Sequence, residues 1–247
     1  MEPSTLFFLN SAVFVAGTLQ AATGIGFGLI GGPALLVTIS SSDALITTGV
    51  LSACIALLLV PSLRSDISWP DLKRLCLGGL AGLPVGAFLF ATAGPAFLKI
   101  GAAVIVSLSL ALLFVKVRSV QTAGSRTGLA AGMICGVLSV ALSMPGPVAA
   151  AFLLREGRSK AAIRSTILAF FIPAYSATLA LQIYLAGLYR TEWGLILWLA
   201  PATAFGIVSG QFLSKLLSEA TFRIVLRLVL AATIAGLVIS ALGDLAP

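Results

Sequence analysis

The chain has 247 residues, of which 59% are hydrophobic and 9% are charged, and its formal net charge is +7. A soluble domain carries about 25% charged residues, so this composition excludes a soluble enzyme and predicts an all-α polytopic membrane protein. The absence of histidine excludes His-based catalytic triads and His-ligated metal sites, and no cofactor is predicted. The basic residues lie between apolar segments, as the positive-inside rule describes, so no nucleic-acid partner is predicted.

Apolar runs long enough to cross a bilayer follow one another along the chain. The predicted spans are 6–37, 44–63, 73–92, 96–115, 127–154, 161–186, 194–213 and 221–242. Two of these runs are interrupted, the first by glycines that end at Pro33 and the fifth by Ser143-Met144-Pro145-Gly146-Pro147. Because Gly and Pro break helices, each interrupted run is predicted to form two helices.

Lysine and arginine set the orientation of these spans. Thirteen of the fifteen basic residues fall in the stretches 64–74, 116–126, 155–164 and 215–227. If all four stretches are cytoplasmic, the two interrupted runs must be hairpins that return to their starting side, whereas eight simple crossings would place two stretches outside. The sequence therefore predicts a multi-pass protein of a bacterial inner membrane with both termini in the periplasm.

A weak internal repeat agrees with this topology. A shift of 124 residues aligns Trp69 with Trp193, Gly82 with Gly206, and Gly86 with Gly210. Other shifts align Ala16-Gly17 with Ala131-Gly132, Pro33 with Pro147, and Ser42-Asp43-Ala44 with Ser159-Lys160-Ala161. These matches predict two inverted-topology repeats, residues 1–122 and 123–247, each a broken helical hairpin plus three transmembrane helices; chance matching of abundant small residues is the alternative. Transporters with inverted repeats place their substrate near the midplane, between interrupted helices.

The two interruptions are the predicted substrate site. In each, a turn is predicted to lead into a helix with proline in its first turn, at Gly31-Gly32-Pro33 and at Pro145-Gly146-Pro147. The free N–H groups and positive dipole end of such a helix attract an anion. Arg164 is a candidate countercharge, with an interfacial anchor as the alternative. The predicted substrate-binding residues are Gln20, Thr23, Gly24, Gly26, Gly28, Gly31, Gly32, Ser143, Met144, Pro145, Gly146, Arg164 and Tyr175.

The order and spacing of these motifs resemble the TauE/SafE family of sulfite and organosulfonate exporters. The resemblance is carried by Ala16-Gly17, the Gly24–Pro33 run, Trp69-Pro70-Asp71-Leu72, the Gly-rich Leu77–Gly86 stretch, Phe97-Leu98-Lys99, Ser143–Pro147, the stretch 162–168 and Phe170-Phe171. It implies a permease that moves a sulfite-type oxyanion or an organosulfonate, often outward.

The predicted function is therefore alternating-access transport of a small anion held between two half-helix N-termini. A passive anion channel and a non-transporting integral membrane component are the alternatives. The predicted partners are the small anionic substrate and the lipid bilayer, and a homodimer is left open.

Overall fold

The computed structural model describes residues 2–112, 125–187 and 193–216, and isolated helical residues from 231 to 242. Within these ranges the chain is almost entirely helical and contains no strand. Most of the predicted span 221–242 and most of the basic stretches 116–126 and 215–227 therefore lie outside the described residues. The helices are α1 (Pro3–Thr23), α2 (Phe27–Leu36), α3 (Ser41–Leu63), α4 (Trp69–Thr92), α5 (Pro95–Leu112), α6 (Ser125–Leu142), α7 (Gly146–Arg155), α8 (Lys160–Ala186) and α9 (Trp193–Leu216), with a short 3-10 helix at Arg64–Asp66.

In the part of the chain that the structure describes, five helical segments are long and apolar enough to cross a membrane. They are Pro3–Thr23, Ser41–Asp66, Trp69–Thr92, Lys160–Ala186 and Trp193–Leu213. Large apolar side chains on α4 and α9, including Leu77, Phe88, Trp198 and Phe205, are more than half exposed. Such surfaces suit lipid and not water, so the predicted all-α polytopic membrane fold is confirmed.

Each interrupted run folds as an antiparallel hairpin of a longer and a shorter helix. In the first, Gly31 of α2 lies against Ala16 of α1, while Gly26 lies against Leu19. In the second, Cys135 of α6 donates from its Sγ to the Pro145 carbonyl at 3.4 Å, just before α7 begins. The shorter helices α2 and α7 have ten residues each, which is about 15 Å, or half of a hydrocarbon core.

The first break lies earlier in the chain than predicted. The chain turns at Gly24-Ile25-Gly26, and Pro33 lies inside α2 and not in its first turn. Gly24 has φ 82° and caps α1 by donating its N–H to the Gln20 carbonyl at 2.8 Å. Gly26 also has a positive φ, 157°. Because glycine adopts such angles without steric penalty, these two residues form the turn and the helix then continues through Pro33. The second prediction was correct, since Pro147 is the second residue of α7.

The long helix of each hairpin packs against a helix from the other half of the chain: α1 on α9, and α6 on α4. These contacts correspond closely. A Cβ atom built on Gly206 would collide with the Phe14 carbonyl oxygen, and one built on Gly82 would collide with the Met133 carbonyl oxygen. The two glycines, Gly82 of α4 and Gly206 of α9, are 124 residues apart, which is the shift found in the sequence. The residues that they contact, Phe14 of α1 and Met133 of α6, are 119 residues apart. Close helix packing through small residues is common in membranes.

An offset of 119 also relates α2 to α7 and the N-caps Ser40 and Ser159. The sequence alignments that used shorter shifts are therefore out of register with the structure. Gly17, for example, corresponds to Gly136 and not to Gly132. The physical reason is that small residues recur every four positions on α6, so that alignments one helical turn apart look equally good.

Candidate functional site

The two breaks meet between α3 and α8. A Cβ atom on Gly28 would lie 2.8 Å from the Ser143 carbonyl oxygen, and one on Gly146 would lie 2.8 Å from Cγ2 of Ile25. We call Thr23–Gly26 the first tip and Ser143–Pro145 the second tip. The N-terminal ends of α2 and α7 therefore lie side by side, close to Phe171 near the middle of α8.

The first tip is held by its own polar groups and by α8. The Thr23 hydroxyl donates to the Leu19 carbonyl at 2.7 Å and accepts from the Ile25 N–H at 3.1 Å. A Cβ atom on Gly24 would lie only 2.9 Å from the Arg164 carbonyl oxygen. The tip therefore rests directly on the backbone of α8, and any side chain at Gly24 would push the two apart.

The second tip is held by α3 and α8. Ser143 has φ 53°, and no other non-glycine residue in the described part of the chain has a positive φ. Its hydroxyl donates to the Leu45 carbonyl at 2.9 Å, and its own carbonyl accepts from the Tyr175 hydroxyl at 3.0 Å. Gln182 donates to the Ser143 hydroxyl at 3.3 Å and to the Val140 carbonyl at 2.8 Å. These bonds stabilise a backbone conformation that is unfavourable for serine.

A small cavity of about 10 Å³ lies between the tips. This volume holds about one water molecule, so the site is closed to a sulfonate-sized anion in this conformation. Its walls come from α1, both tips, the first turns of α2 and α7, and α8. The lining residues are Gln20, Ile25, Gly26, Gly28, Leu29, Met144, Gly146, Pro147, Phe171 and Tyr175.

The predicted site residues divide into three groups by position. Those at the cavity are Gln20, Gly26, Gly28, Met144, Gly146 and Tyr175, and those that build the tips are Thr23, Gly24, Ser143 and Pro145. Gly31 and Gly32 lie inside α2. Gly31 packs against Phe27, and Gly32 packs against Met144 and Thr48. Arg164 contacts the first tip through its backbone and does not line the cavity.

Sequence reasoning missed four apolar lining residues, Ile25, Leu29, Pro147 and Phe171. The Phe171 ring packs edge-on against Tyr175, with ring centroids 5.1 Å apart. The one available signal was the four-residue spacing of this pair, which places both rings on the same face of α8.

The Arg164 side chain is partly buried, and its Nε atom is buried without a hydrogen-bond partner in the described structure. A buried guanidinium N–H without a partner is energetically unfavourable. The side chain therefore has unused donor capacity one turn into α8, next to the first tip.

A second polar cluster, here called the Asp71 cluster, joins α4 to the loop between α7 and α8. The fully buried Asp71 carboxylate accepts from Arg158 Nε at 2.7 Å, from Arg74 Nη1 at 3.3 Å and from the Ser68 hydroxyl at 2.6 Å. By the offsets of 124 and 119, Asp71 and Arg158 correspond to Leu195 and Ile39. These two residues are partly buried apolar side chains. Positions related by these offsets thus carry ionic groups in one case and apolar groups in the other.

Comparison with known proteins identifies the family. The family model described as "Sulfite exporter TauE/SafE" matches residues 9–237, which is nearly the whole chain. A search of curated proteins finds no match, and neither does a search of solved structures. The apolar helices and the extent of the family match lead to one conclusion: the chain belongs to the TauE/SafE family of sulfite exporters.

Proposed function

We propose that this chain is an alternating-access permease that exports a sulfite-type oxyanion or an organosulfonate. The observation that carries the proposal is the meeting of two ten-residue helices, α2 and α7, whose N-termini line one cavity in the middle of the helix assembly. The anion binds between these N-termini.

Backbone N–H groups at the two helix starts supply the donors. In α2 the N–H groups of Leu29 and Ile30 donate to the Gly26 carbonyl at 3.0 and 3.1 Å. The N–H groups of Phe27 and Gly28 precede these bonds, and helix geometry gives such groups no partner within the helix. In α7 the N–H of Gly146, the first residue of the helix, likewise has no partner within the helix. Together with the two helix dipoles, these groups favour an anion over a cation or a neutral molecule.

Arg164, whose backbone contacts the first tip at Gly24, contributes a positive charge to the site. Its unpartnered Nε supports a role in attracting the anion toward the tips, before the anion enters the cavity, which Arg164 does not line. A guanidinium suits this task because its planar fork matches two oxygens of one oxyanion.

The closed cavity supports a mechanism in which helices move. The tips must separate before an anion larger than water can enter. The pairs α1–α9 and α4–α6 pack so closely through glycine that each pair would move as a unit, whereas α3 and α8 lie against the tips. The corresponding contacts of the two pairs support two inverted repeats, and rocking of repeat units around a fixed site is the general mechanism of such transporters.

Charge supports the outward direction. The basic residues of 64–74 and 155–164 lie at the same end of the structure, joined through the Asp71 cluster, and the positive-inside rule assigns that end to the cytoplasm. Moving one negative charge outward across an inside-negative membrane gains about 2.3 kcal/mol per 100 mV. Export therefore needs no coupling ion.

Counterflow in proteoliposomes tests the proposal. Vesicles loaded with unlabelled sulfite or ethanesulfonate should accumulate the external labelled anion transiently, and the rate should saturate with concentration. With the membrane potential clamped at zero by valinomycin and equal potassium on both sides, a passive channel would give neither accumulation nor saturation. A non-transporting component would give no flux above protein-free vesicles.

A further inference from the structure

The side chain of Gln20 presents an unused acceptor at the cavity. Gln20 is fully buried on α1, and its Nε2 donates to the Ser52 carbonyl at 3.1 Å. Since a carbonyl can only accept, this bond fixes which end of the amide faces Ser52. The other end, Oε1, is buried without a hydrogen-bond partner in the described structure, and the residue lines the cavity between the tips.

The Tyr175 hydroxyl on the same wall offers no hydrogen-bond donor to a ligand. A tyrosine hydroxyl has a single hydrogen, and that of Tyr175 is donated to the Ser143 carbonyl at 3.0 Å. Its oxygen can therefore only accept, and the Ser52 side chain already interacts with it. The cavity thus combines donors, at the N-termini of α2 and α7, with one unused acceptor, Gln20 Oε1.

These two kinds of group select among anions. An anion whose polar atoms are all acceptors satisfies the helix N–H groups but leaves the Gln20 oxygen buried and facing a negatively charged ligand, which is unfavourable. An anion that also carries an O–H or N–H group satisfies both sides. A site built to hydrogen-bond a ligand hydroxyl strongly rejects the analogue that lacks it.

We propose that the cavity between the tips recognises a sulfur oxyanion that carries its own hydrogen-bond donor, and that Gln20 Oε1 accepts from this donor. Hydrogen sulfite is then a ligand and the sulfite dianion is not, and a hydroxyalkanesulfonate binds more tightly than an alkanesulfonate of the same size. The inference rests on the proposed function of the same site, and it adds a rule for distinguishing among the anions of that class.

The test compares 2-hydroxyethanesulfonate with 1-propanesulfonate, which differ by a hydroxyl in place of a methyl group. Affinities are measured by calorimetry on the purified full-length protein. We expect the hydroxy compound to bind about tenfold more tightly or better, although the methyl compound is the more hydrophobic of the two. In Gln20→Met, which has a similar length but no acceptor oxygen, the ratio of the two affinities should fall to about one.

Equal affinities of the wild-type protein for both sulfonates would overturn the inference and leave the proposed function standing, since an anion would still bind. Failure to bind either sulfonate or sulfite would overturn the proposed function together with the inference. If Gln20→Met does not fold, the pH dependence of sulfite binding to the wild type decides instead. Affinity should fall as hydrogen sulfite loses its proton, while 1-propanesulfonate, which does not titrate in that range, serves as the control. A flat sulfite profile would overturn the inference.

Discussion

Gly26 and Gly146 line the cavity and leave no room for a side chain. A Cβ atom on Gly26 would lie 2.9 Å from the Gln20 backbone nitrogen, and one on Gly146 would lie 2.8 Å from Ile25 Cγ2. We expect Gly146→Leu and Gly26→Leu to abolish anion counterflow while the protein still inserts into the membrane. Gly94→Leu is the matched control, because Gly94 has no atom within 4 Å of a built Cβ. Normal transport by both tip variants would move the anion site elsewhere.

Arg164 distinguishes an anion-binding role from an anchoring role. If its guanidinium contacts the anion, Arg164→Lys keeps the charge but loses the planar fork, so affinity should fall. Arg164→Gln should weaken binding further, by roughly 1.5–3 kcal/mol, the contribution of a charge-assisted hydrogen bond. Titration of the three purified proteins with one sulfonate measures the effect. An interfacial anchor would instead tolerate lysine fully, and equal affinities for all three would remove Arg164 from the site.

For individual residues, the sequence predicted which residue types form the site better than it predicted where each residue lies in the fold. Gln20 and Tyr175 were found because polar groups are rare in apolar spans, and both lie at the cavity. Gly31 and Gly32 were included for the same reason as Gly24 and Gly26. The sign of φ separates them: Gly24 and Gly26 turn the chain, whereas the other two continue a helix. A run of glycines permits every one of these conformations, so the sequence alone does not place the turn.

Among the structural elements, the contact between α4 and the α7–α8 loop depends on a buried charge. Asp71 has no exposed surface, while the side chains of Arg158 and Arg74 are 38% and 32% exposed. Replacing Arg158 with isoleucine therefore leaves a buried carboxylate with one arginine. We expect Arg158→Ile to lower stability by roughly 1–3 kcal/mol, the penalty of an unsatisfied buried polar group.

The double variant Asp71→Leu/Arg158→Ile introduces the residue types found at Leu195 and Ile39, the positions related to Asp71 and Arg158 by the offsets of 124 and 119. Replacement of a buried ion pair by apolar groups is often neutral or stabilising, so the double variant should unfold at about the wild-type temperature. Thermal unfolding in detergent of the two single variants and the double variant measures the coupling. A double variant less stable than Arg158→Ile alone would show that an apolar pair cannot replace the Asp71–Arg158 ion pair.

The hairpins show what could be predicted at the level of elements. Their existence followed from Gly and Pro inside apolar runs combined with the distribution of basic residues, and both hairpins are present. Their packing partners were not predicted. The sequence matched Gly82 to Gly206 and Gly86 to Gly210, but nothing in it indicates that these glycines contact α6 and α1, the helices on which they pack. Long-range partners of uniformly apolar helices leave no periodic signal in the sequence.

For the molecule as a whole, the orientation in the membrane is testable by single-cysteine labelling. In a background without Cys54, Cys76 and Cys135, we expect Gly94→Cys to react with a membrane-impermeant reagent added outside intact cells. Position 122 lies outside the described residues and between two predicted spans. Thr122→Cys should react only after the membrane is made permeable, because the basic stretch 116–126 is predicted to be cytoplasmic. External labelling of Thr122→Cys in intact cells would contradict the inverted-repeat arrangement.

The packing of α1 against α9 has a consequence for how the protein is made. Gly17 of α1 contacts the backbone at Thr203 of α9, so α1 has no packing partner on this face until α9, about 180 residues later in the chain, has been synthesised. Until then its small-residue face is open to lipid and to quality-control proteases. A chain truncated after Gly187 should therefore be degraded quickly in cells, as pulse-chase labelling would show. Co-expression of residues 188–247 as a separate fragment should restore its lifetime, and a truncated chain as long-lived as the intact protein would show that α1 is stable without this partner.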